Sequence, residues 1–343
     1  MKKLALLASA AAVAAFALIG SASAGTLADV QARGVLVCGV NGPTGLTGFG
    51  IPDDKGNWTG LDVDLCRAVA AAVFGDATKV KFVPLGSKER FTALQSGEID
   101  VLARNSTWTY ARDTELGLDF VAVNYYDGQG FMVRKELGVK SAKELSGATI
   151  CVQTGTTTEK NLADFFRTNN LELKQPPTFE NADQARQAYD EGRCDAYTTD
   201  ASGLASERTQ LKNPGDNIIL PEIISKEPLG PVVRHGDNNW GDVVRWSYYA
   251  TLIAEEKGIT QANVDDIKSS TQDAEVRRLL SLDDDWGKKM GLSKDWAYNV
   301  IKQVGNYGES FERNVGQKTP LGLARGLNEL WSKGGLQYAP PFN

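Results

Sequence analysis

Short, continuously apolar runs alternate with helical patterns through most of this 343-residue chain, and that alternation constrains the fold more than any other feature. Residues 35–40, Val-Leu-Val-Cys-Gly-Val, read as a strand buried on both faces. A loop over 41–50 follows, with four glycines and a proline. A helix over 62–74 comes next, with Asp62 and Asp64 in its first turn as dipole partners and Gly75 past its end. Strands at 79–85 and 99–103 flank a helix over 87–96, with Ser87 as its N-cap and Gly97 as its stop. A further strand, 118–123, leads into a polar, glycine-containing segment, 124–130, and the pattern restarts. Strands are predicted at 131–134, 148–153 and 194–199. Helices are predicted at 141–145, 156–166 and 181–191, and Asp200 opens another. Residues 220–230, with Pro221 and Pro228, read as a linker, and 240–343 as mostly amphipathic helix. Such alternation implies βαβ units around a mainly parallel sheet, an α/β fold. A faint internal echo, Gly97-Glu-Ile-Asp100 before Asn105 and Gly192-Arg-Cys-Asp195 before Asp200, suggests two similarly built lobes.

Sheets of this kind bind ligands at the carboxyl ends of their strands. Asn41, Asn105 and Thr107 all fall just past such ends, and Arg112 lies at the start of a candidate helix. A strand end running into a helix start exposes backbone N–H groups that favour an anion, and a guanidinium adds a planar fork for a carboxylate. The second half offers Thr156, Thr157 and Thr158, and separately Asp200. An amino acid presents a carboxylate and an ammonium on one carbon. Arg112 with the N–H groups near Thr107 and Thr157 suits the first; Asp200, with oxygens from Asn105 or Thr107, suits the second. One Arg and one Asp match a zwitterion with no net buried charge. Each residue also has an ordinary structural role: Thr156 and Glu159 form a capping-box pattern, Asp200 is a normal N-cap, and Arg112 alone reads as a surface residue. The inference rests on complementary charges at corresponding strand ends.

The N-terminus reads as a signal peptide over 1–24. It has Lys2 and Lys3, an apolar stretch, and Ala22-Ser23-Ala24 as cleavage site. Its removal takes the net charge from −6 to −8 by losing two lysines, which argues against a general nucleic-acid binder. The mature protein is expected to be exported and soluble. Cys38, Cys66, Cys151 and Cys194 form an even set that suggests two disulfides, with three pairings open. The cysteines lack CxxC spacing and His235 is the single histidine, so a metal centre and a Ser-His triad are not expected.

Several motifs together resemble the amino-acid-binding proteins of bacterial ABC importers, the family 3 solute-binding proteins. They are Gly60-Leu-Asp-Val-Asp-Leu65, Ala93-Leu-Gln-Ser-Gly-Glu-Ile-Asp100, Val152-Gln-Thr-Gly-Thr-Thr157 and Gly192-Arg-Cys-Asp-Ala196. Asn105-Ser-Thr-Trp-Thr109, Asn124-Tyr-Tyr-Asp-Gly-Gln-Gly130 and Lys302-Gln-Val-Gly-Asn-Tyr-Gly308 are similar to the general L-amino-acid-binding branch. The resemblance implies a two-lobed, type II periplasmic-binding-protein-like fold with two crossover strands, near 127–130 and 225–229, and a helical C-terminal extension. Lobe 1 would comprise 25–127 and 229–343, and lobe 2 would comprise 128–228. Arg112 matches the family's carboxylate-binding arginine, Thr107 and Thr157 match the positions giving N–H groups to that carboxylate, Asp200 matches the ammonium-binding aspartate, and Asn105 offers its carbonyl to the ammonium. This fold fits two within-lobe disulfides, Cys38–Cys66 and Cys151–Cys194. The aromatic shelf of many relatives is absent from the first loop. Asn41 is expected to face the ligand side chain, with Trp108 or Tyr125 replacing the shelf.

The implied function is capture of free L-amino acids, broad-range or polar and acidic, in the periplasm. Hinge closure and delivery to the membrane permease subunits of an ABC importer would follow. The implied receptor is a monomer, without cofactor and without nucleic acid. A dehydratase-like enzyme on the same fold is the alternative, but Arg112 and Asp200 suit binding better than proton transfer. A sensory ectodomain would need a spanning segment and signalling region beyond these motifs.

Overall fold

The computed structural model describes residues 25–42 and 45–343; the predicted leader over 1–24 lies outside them. Helix α1 (Gly25–Arg33) leads into strand β1 (Leu36–Asn41). A hairpin of β2 (Ile51–Pro52) and β3 (Trp58–Thr59) precedes helix α2 (Leu61–Phe74). Gly60 starts α2 with φ 138°, and a Cβ there would lie 2.1 Å from the Phe49 carbonyl oxygen, so the turn admits only glycine. Strand β4 (Val80–Leu85), helix α3 (Arg90–Gln95), strand β5 (Val101–Leu102), helix α4 (Tyr110–Glu115) and strand β6 (Leu118–Phe120) follow.

Strand β7 (Tyr125–Asp127) leaves this lobe for a second one. There the chain forms β8 (Gln129–Arg134), β9 (Ile150–Gln153), α5 (Thr157–Thr168) and β10 (Thr178–Phe179). It continues through α6 (Ala182–Asp190), β11 (Ala196–Asp200), α7 (Ala201–Arg208) and β12 (Asn217–Ile219). Strand β13 (Glu227–Leu229) returns, and β14 (Val232–Arg234) completes the first sheet. That sheet has the order β4-β1-β5-β14-β6, and the second β10-β9-β11-β8-β12. Each has three parallel strands at one side and antiparallel strands at the other. The crossover strands β7 and β13 pair antiparallel, Glu227 opposite Asp127 and Leu229 opposite Tyr125, forming a two-stranded hinge between the lobes.

Disulfides stitch each lobe internally: Cys38–Cys66 ties β1 to α2, and Cys151–Cys194 ties β9 to the residue leading into β11. Helix α2 is buried on nearly every side, Asp62 and Asp64 included. An all-round buried helix needs cover on both faces. The sheet supplies one, and the long C-terminal helices supply the other: α8 (Asn238–Glu256), α11 (Trp296–Val304) and α12 (Tyr307–Asn314). Asp64 Oδ2 accepts from Ser310 Oγ at 2.7 Å, Arg313 Nη2 at 2.5 Å and Asn314 Nδ2 at 2.7 Å, which fastens α12 to α2. The cover also includes α9 (Val264–Ser270) and α10 (Ala274–Leu279). No helix among the described residues is long and apolar enough to cross a membrane.

Four sequence expectations change. The helix expected over 141–145 is a single 3₁₀ turn, Ala142–Glu144. The helix expected from Ser87 starts at Arg90, because the buried Ser87 Oγ accepts from Arg104 Nη2 at 3.1 Å and does not cap a helix. The linker over 220–230 contains crossover strand β13, with Pro228 opposite Tyr126 in a two-stranded ribbon that has room for a residue without an N–H. Beyond Asn314 the tail has only two short 3₁₀ turns, and Asn328 brackets the hinge strand. Its Oδ1 accepts from Tyr126 N and its Nδ2 donates to Tyr126 O.

Candidate ligand-binding site

The carboxyl ends of β1, β5, β9 and β11 converge on one cavity of about 290 Å³ between the lobes. Asn41, Arg104, Asn105 and Thr107 reach it from the first lobe, and Gln153, Thr156, Thr157 and Asp200 from the second. The lobes touch beside it. A Cβ on Gly155 would lie 3.0 Å from Lys88 Cγ, and the hydroxyls of Thr107 and Thr157 stand 3.4 Å apart.

The loop after β5 is held from behind. Asn105 has φ 30° in the left-handed region, and its backbone N–H donates to Asp62 Oδ2 at 2.8 Å. Asp62 Oδ1 accepts from Asn124 Nδ2 at 2.8 Å. Burial raises the Asp62 carboxyl pKa, and the bonds from Asn124 and Asn105 work against that rise. The Asn105 Oδ1 is buried without a partner among the described residues. Thr109 caps α4 by accepting from Arg112 N at 3.3 Å, which sets Arg112 in the first turn. Arg112 does not itself line the cavity. It stands behind Thr107, donating from Nη1 to the Thr107 carbonyl at 3.0 Å, with its guanidinium 5.1 Å from the centre of the Phe91 ring. Burial lowers its pKa, and Glu227 and Asp200 oppose that.

Across the cleft, Thr156 caps α5, accepting from Glu159 N at 3.2 Å and donating to the Gln153 carbonyl at 2.7 Å. Its hydroxyl is therefore committed locally. Asp200 occupies the N-cap of α7 yet makes no side-chain capping bond. Its buried carboxylate accepts no hydrogen bond among the described residues. Burial, then Asp127 and Glu227, raise its pKa well above the usual range, while Arg90 and Arg112 oppose them. Asp127 itself is raised to about 6 by burial, against bonds from Ser202 and Gly128.

Trp108 lies outside the cavity, stacked on Phe120 at 5.8 Å and 39% exposed. Tyr125 is packed against Phe49 and Phe311 and does not line it either. Neither ring takes the place of an aromatic shelf. The wall beside Asn41 is instead cationic. Arg90 lines the cavity at 3% exposure, its Nε buried without a partner among the described residues, as is Asn41 Nδ2. Arg104 is fixed by donating from Nε to the Leu85 carbonyl at 2.9 Å, and burial lowers its pKa to about 10. Sequence reasoning missed Arg90, Asp127 and Glu227. Arg90 sits in a charged run, Lys88-Glu89-Arg90, that reads as a solvated helix face, and only the tertiary fold buries it.

Two sheets joined by a two-stranded hinge, with a polar, charged cavity between them, define a two-lobed periplasmic-binding-protein fold of type II. The chain belongs to the bacterial extracellular solute-binding proteins, family 3, whose family model matches residues 37–274. It is 64% identical over 342 residues to the glutamate/glutamine/aspartate/asparagine-binding protein BztA of Rhodobacter capsulatus, covering 100% of both chains. It is 65% identical over 323 residues to the general L-amino acid-binding periplasmic protein AapJ of Rhizobium johnstonii, covering 94% of each. Among solved structures it is similar to an ABC transporter periplasmic binding protein from Brucella ovis with glutathione bound. The two share 61% identity with a TM-score of 0.91, over 93% of this chain and 100% of that one.

Proposed function

We propose that this protein is a periplasmic receptor, exported by its cleaved leader, that captures L-amino acids and delivers them to an ABC permease without chemical turnover. The observation that carries the reading is charge separation across the cleft. Arg112 and the Thr107 segment lie on one lobe, and the uncommitted carboxylate of Asp200 lies on the other. Arg112 and the backbone N–H groups of Thr107 and Thr157 would hold the ligand carboxylate, while Asp200 and the Asn105 carbonyl would hold its ammonium. A ligand bridging both lobes binds the closed state better than the open one, and only that difference shifts the population. A micromolar dissociation constant, about −8 kcal/mol, is within reach of a few charge-assisted bonds at roughly 1.5–3 kcal/mol each.

Arg90 and Asn41 both line the cavity, and Arg90 Nε and Asn41 Nδ2 are buried donors without a partner among the described residues. They favour side chains ending in a carboxylate or carboxamide, in keeping with what the Rhodobacter capsulatus relative is named for. A longer ligand is also supported. Asp200, Gly203 and Glu207 share one face of α7 and all line the cavity, a run of about 10 Å at 1.5 Å per residue. That length suits a γ-glutamyl peptide, and the Brucella ovis relative carries glutathione. Calorimetry against the twenty amino acids and glutathione tests both readings. Glutamate, glutamine, aspartate and asparagine are expected to bind at micromolar Kd or tighter. Binding by none of the twenty rejects the receptor reading, and no heat with glutathione rejects the longer ligand alone.

A further inference from the structure

Glu227 lies on hinge strand β13 and is 1% exposed. Four donors fill its carboxylate. Oε2 accepts from Thr107 Oγ1 at 2.5 Å and from Thr157 Oγ1 at 2.9 Å; Oε1 accepts from Asn161 Nδ2 at 2.8 Å and Ser225 Oγ at 2.7 Å. The donors divide by lobe. Thr107 follows β5 in the first lobe, whereas Thr157 and Asn161 belong to the opening turns of α5 in the second. The N-terminus of α5 also favours a negative charge at this spot. Arg112 adds a cation nearby: burial lowers the Arg112 pKa, and Glu227 is the carboxylate that most strongly opposes that fall.

We infer that Glu227 is a positioning residue that couples ligand binding to lobe closure. Opening the hinge must separate the Thr107 segment from the start of α5, because they belong to different lobes. One buried carboxylate cannot keep donors from both sides once they part, so opening breaks charge-assisted bonds to Thr107 or to Thr157 and Asn161. Closure restores them and at the same time turns the two threonine hydroxyls toward the hinge, leaving the backbone N–H groups at Thr107 and Thr157 for a ligand carboxylate. Glu227 thereby favours the state that binds, without touching the ligand. The coupling rests on the receptor reading only for its ligand; the latch is built from residues of this chain alone.

The test compares the parent with Glu227→Gln, Glu227→Ala and Asn161→Ala. Small-angle scattering of each, free and with L-glutamate, measures closure; titration calorimetry measures Kd, and thermal melting checks folding. Glu227→Ala is expected to enlarge the radius of gyration of the free protein and to raise Kd by roughly 5–150-fold, the usual span of coupling between sites. Glu227→Gln, which keeps one acceptor oxygen, and Asn161→Ala, which removes one link on the second lobe, are expected to fall between. Folded Glu227→Gln and Asn161→Ala variants with the parent's free radius of gyration and a Kd within twofold of the parent overturn the latch, whether or not Glu227→Ala folds. If L-glutamate fails to bind the parent, the receptor reading is at fault, and the radii of the free proteins still decide the latch.

Discussion

The backbone N–H of Asn105 donates to Asp62 Oδ2 at 2.8 Å, so the first turn of α2 holds the loop that lines the interlobe cavity. The same carboxylate takes Asn124 Nδ2, just before the first hinge strand. Asp62→Ala would leave both donors buried without an acceptor. The expected loss is about 2–6 kcal/mol of stability, from roughly 1–3 kcal/mol for each orphaned group, together with weaker ligand binding. Denaturant melts and calorimetry check this. A variant with parental stability and Kd would remove Asp62 from its supporting role.

Arg90 lines the cavity, so it is expected to set selectivity among ligands. Arg90→Met keeps length and apolar packing while removing the charge and the free Nε donor. Glutamate and aspartate are expected to lose at least tenfold in affinity, about 1.4 kcal/mol, while alanine changes little. Competition calorimetry with the three amino acids measures the contrast. An equal loss for all three would place Arg90 in a purely structural role.

The buried acids give a pH dependence of definite sign. Burial raises Glu207 to about 7, against its ion pair with Arg186, and raises Asp127 and Asp200 in the same direction. Between its ordinary value and the raised one, the folded protein holds a proton on Glu207 that the unfolded chain has lost. The ligand-free protein is therefore expected to lose stability as pH rises from about 4.5 to 7. Urea melts across that range measure the slope, and Glu207→Gln should flatten it. Ligand binding runs the other way. An ammonium on Asp200 favours its ionised form, so capture should release protons and weaken as pH falls. Calorimetry at one pH in buffers of different ionisation enthalpy reads the proton count, and proton uptake would contradict the assignment of Asp200.

The disulfides close loops of 28 and 43 residues of sequence separation. Loop-closure entropy assigns about 3.5–4 kcal/mol to each. Replacing Cys151 and Cys194 by alanine is expected to lower unfolding stability by that order, measured by guanidinium melts. Parental stability would show that the unfolded chain is not constrained by this link.

The sequence announces the central strands β1 and β9 most clearly, because they are buried on both faces and so read as nearly unbroken apolar runs, whereas the edge strand β4 keeps Lys81 and Pro84 exposed. It announces Asn41, Asn105, Thr107, Thr157 and Asp200 as polar residues at strand ends, and the fold gathers them because parallel strands end on one side. It misplaces the start of α3, since Ser87 has the chemistry of a cap but a tertiary partner in Arg104. Glu227 escapes notice because its partners Thr107 and Thr157 lie far away in sequence, and Pro228 disguises its strand as a linker. Trp108 misleads in the opposite sense. It follows the cavity-lining loop, but its ring stacks on Phe120. The C-terminal helices show only amphipathic periodicity, which gives a buried face but not the helix it covers; that helix is α2.

A crystal structure with L-glutamate bound is the most direct test of the clamp. The expected result is one ligand between closed lobes, its α-carboxylate on Arg112 and the N–H groups of Thr107 and Thr157, its ammonium on Asp200, and its side chain toward Arg90. A ligand bound in the reverse sense, or one contacting a single lobe with Arg112 and Asp200 unengaged, would contradict it.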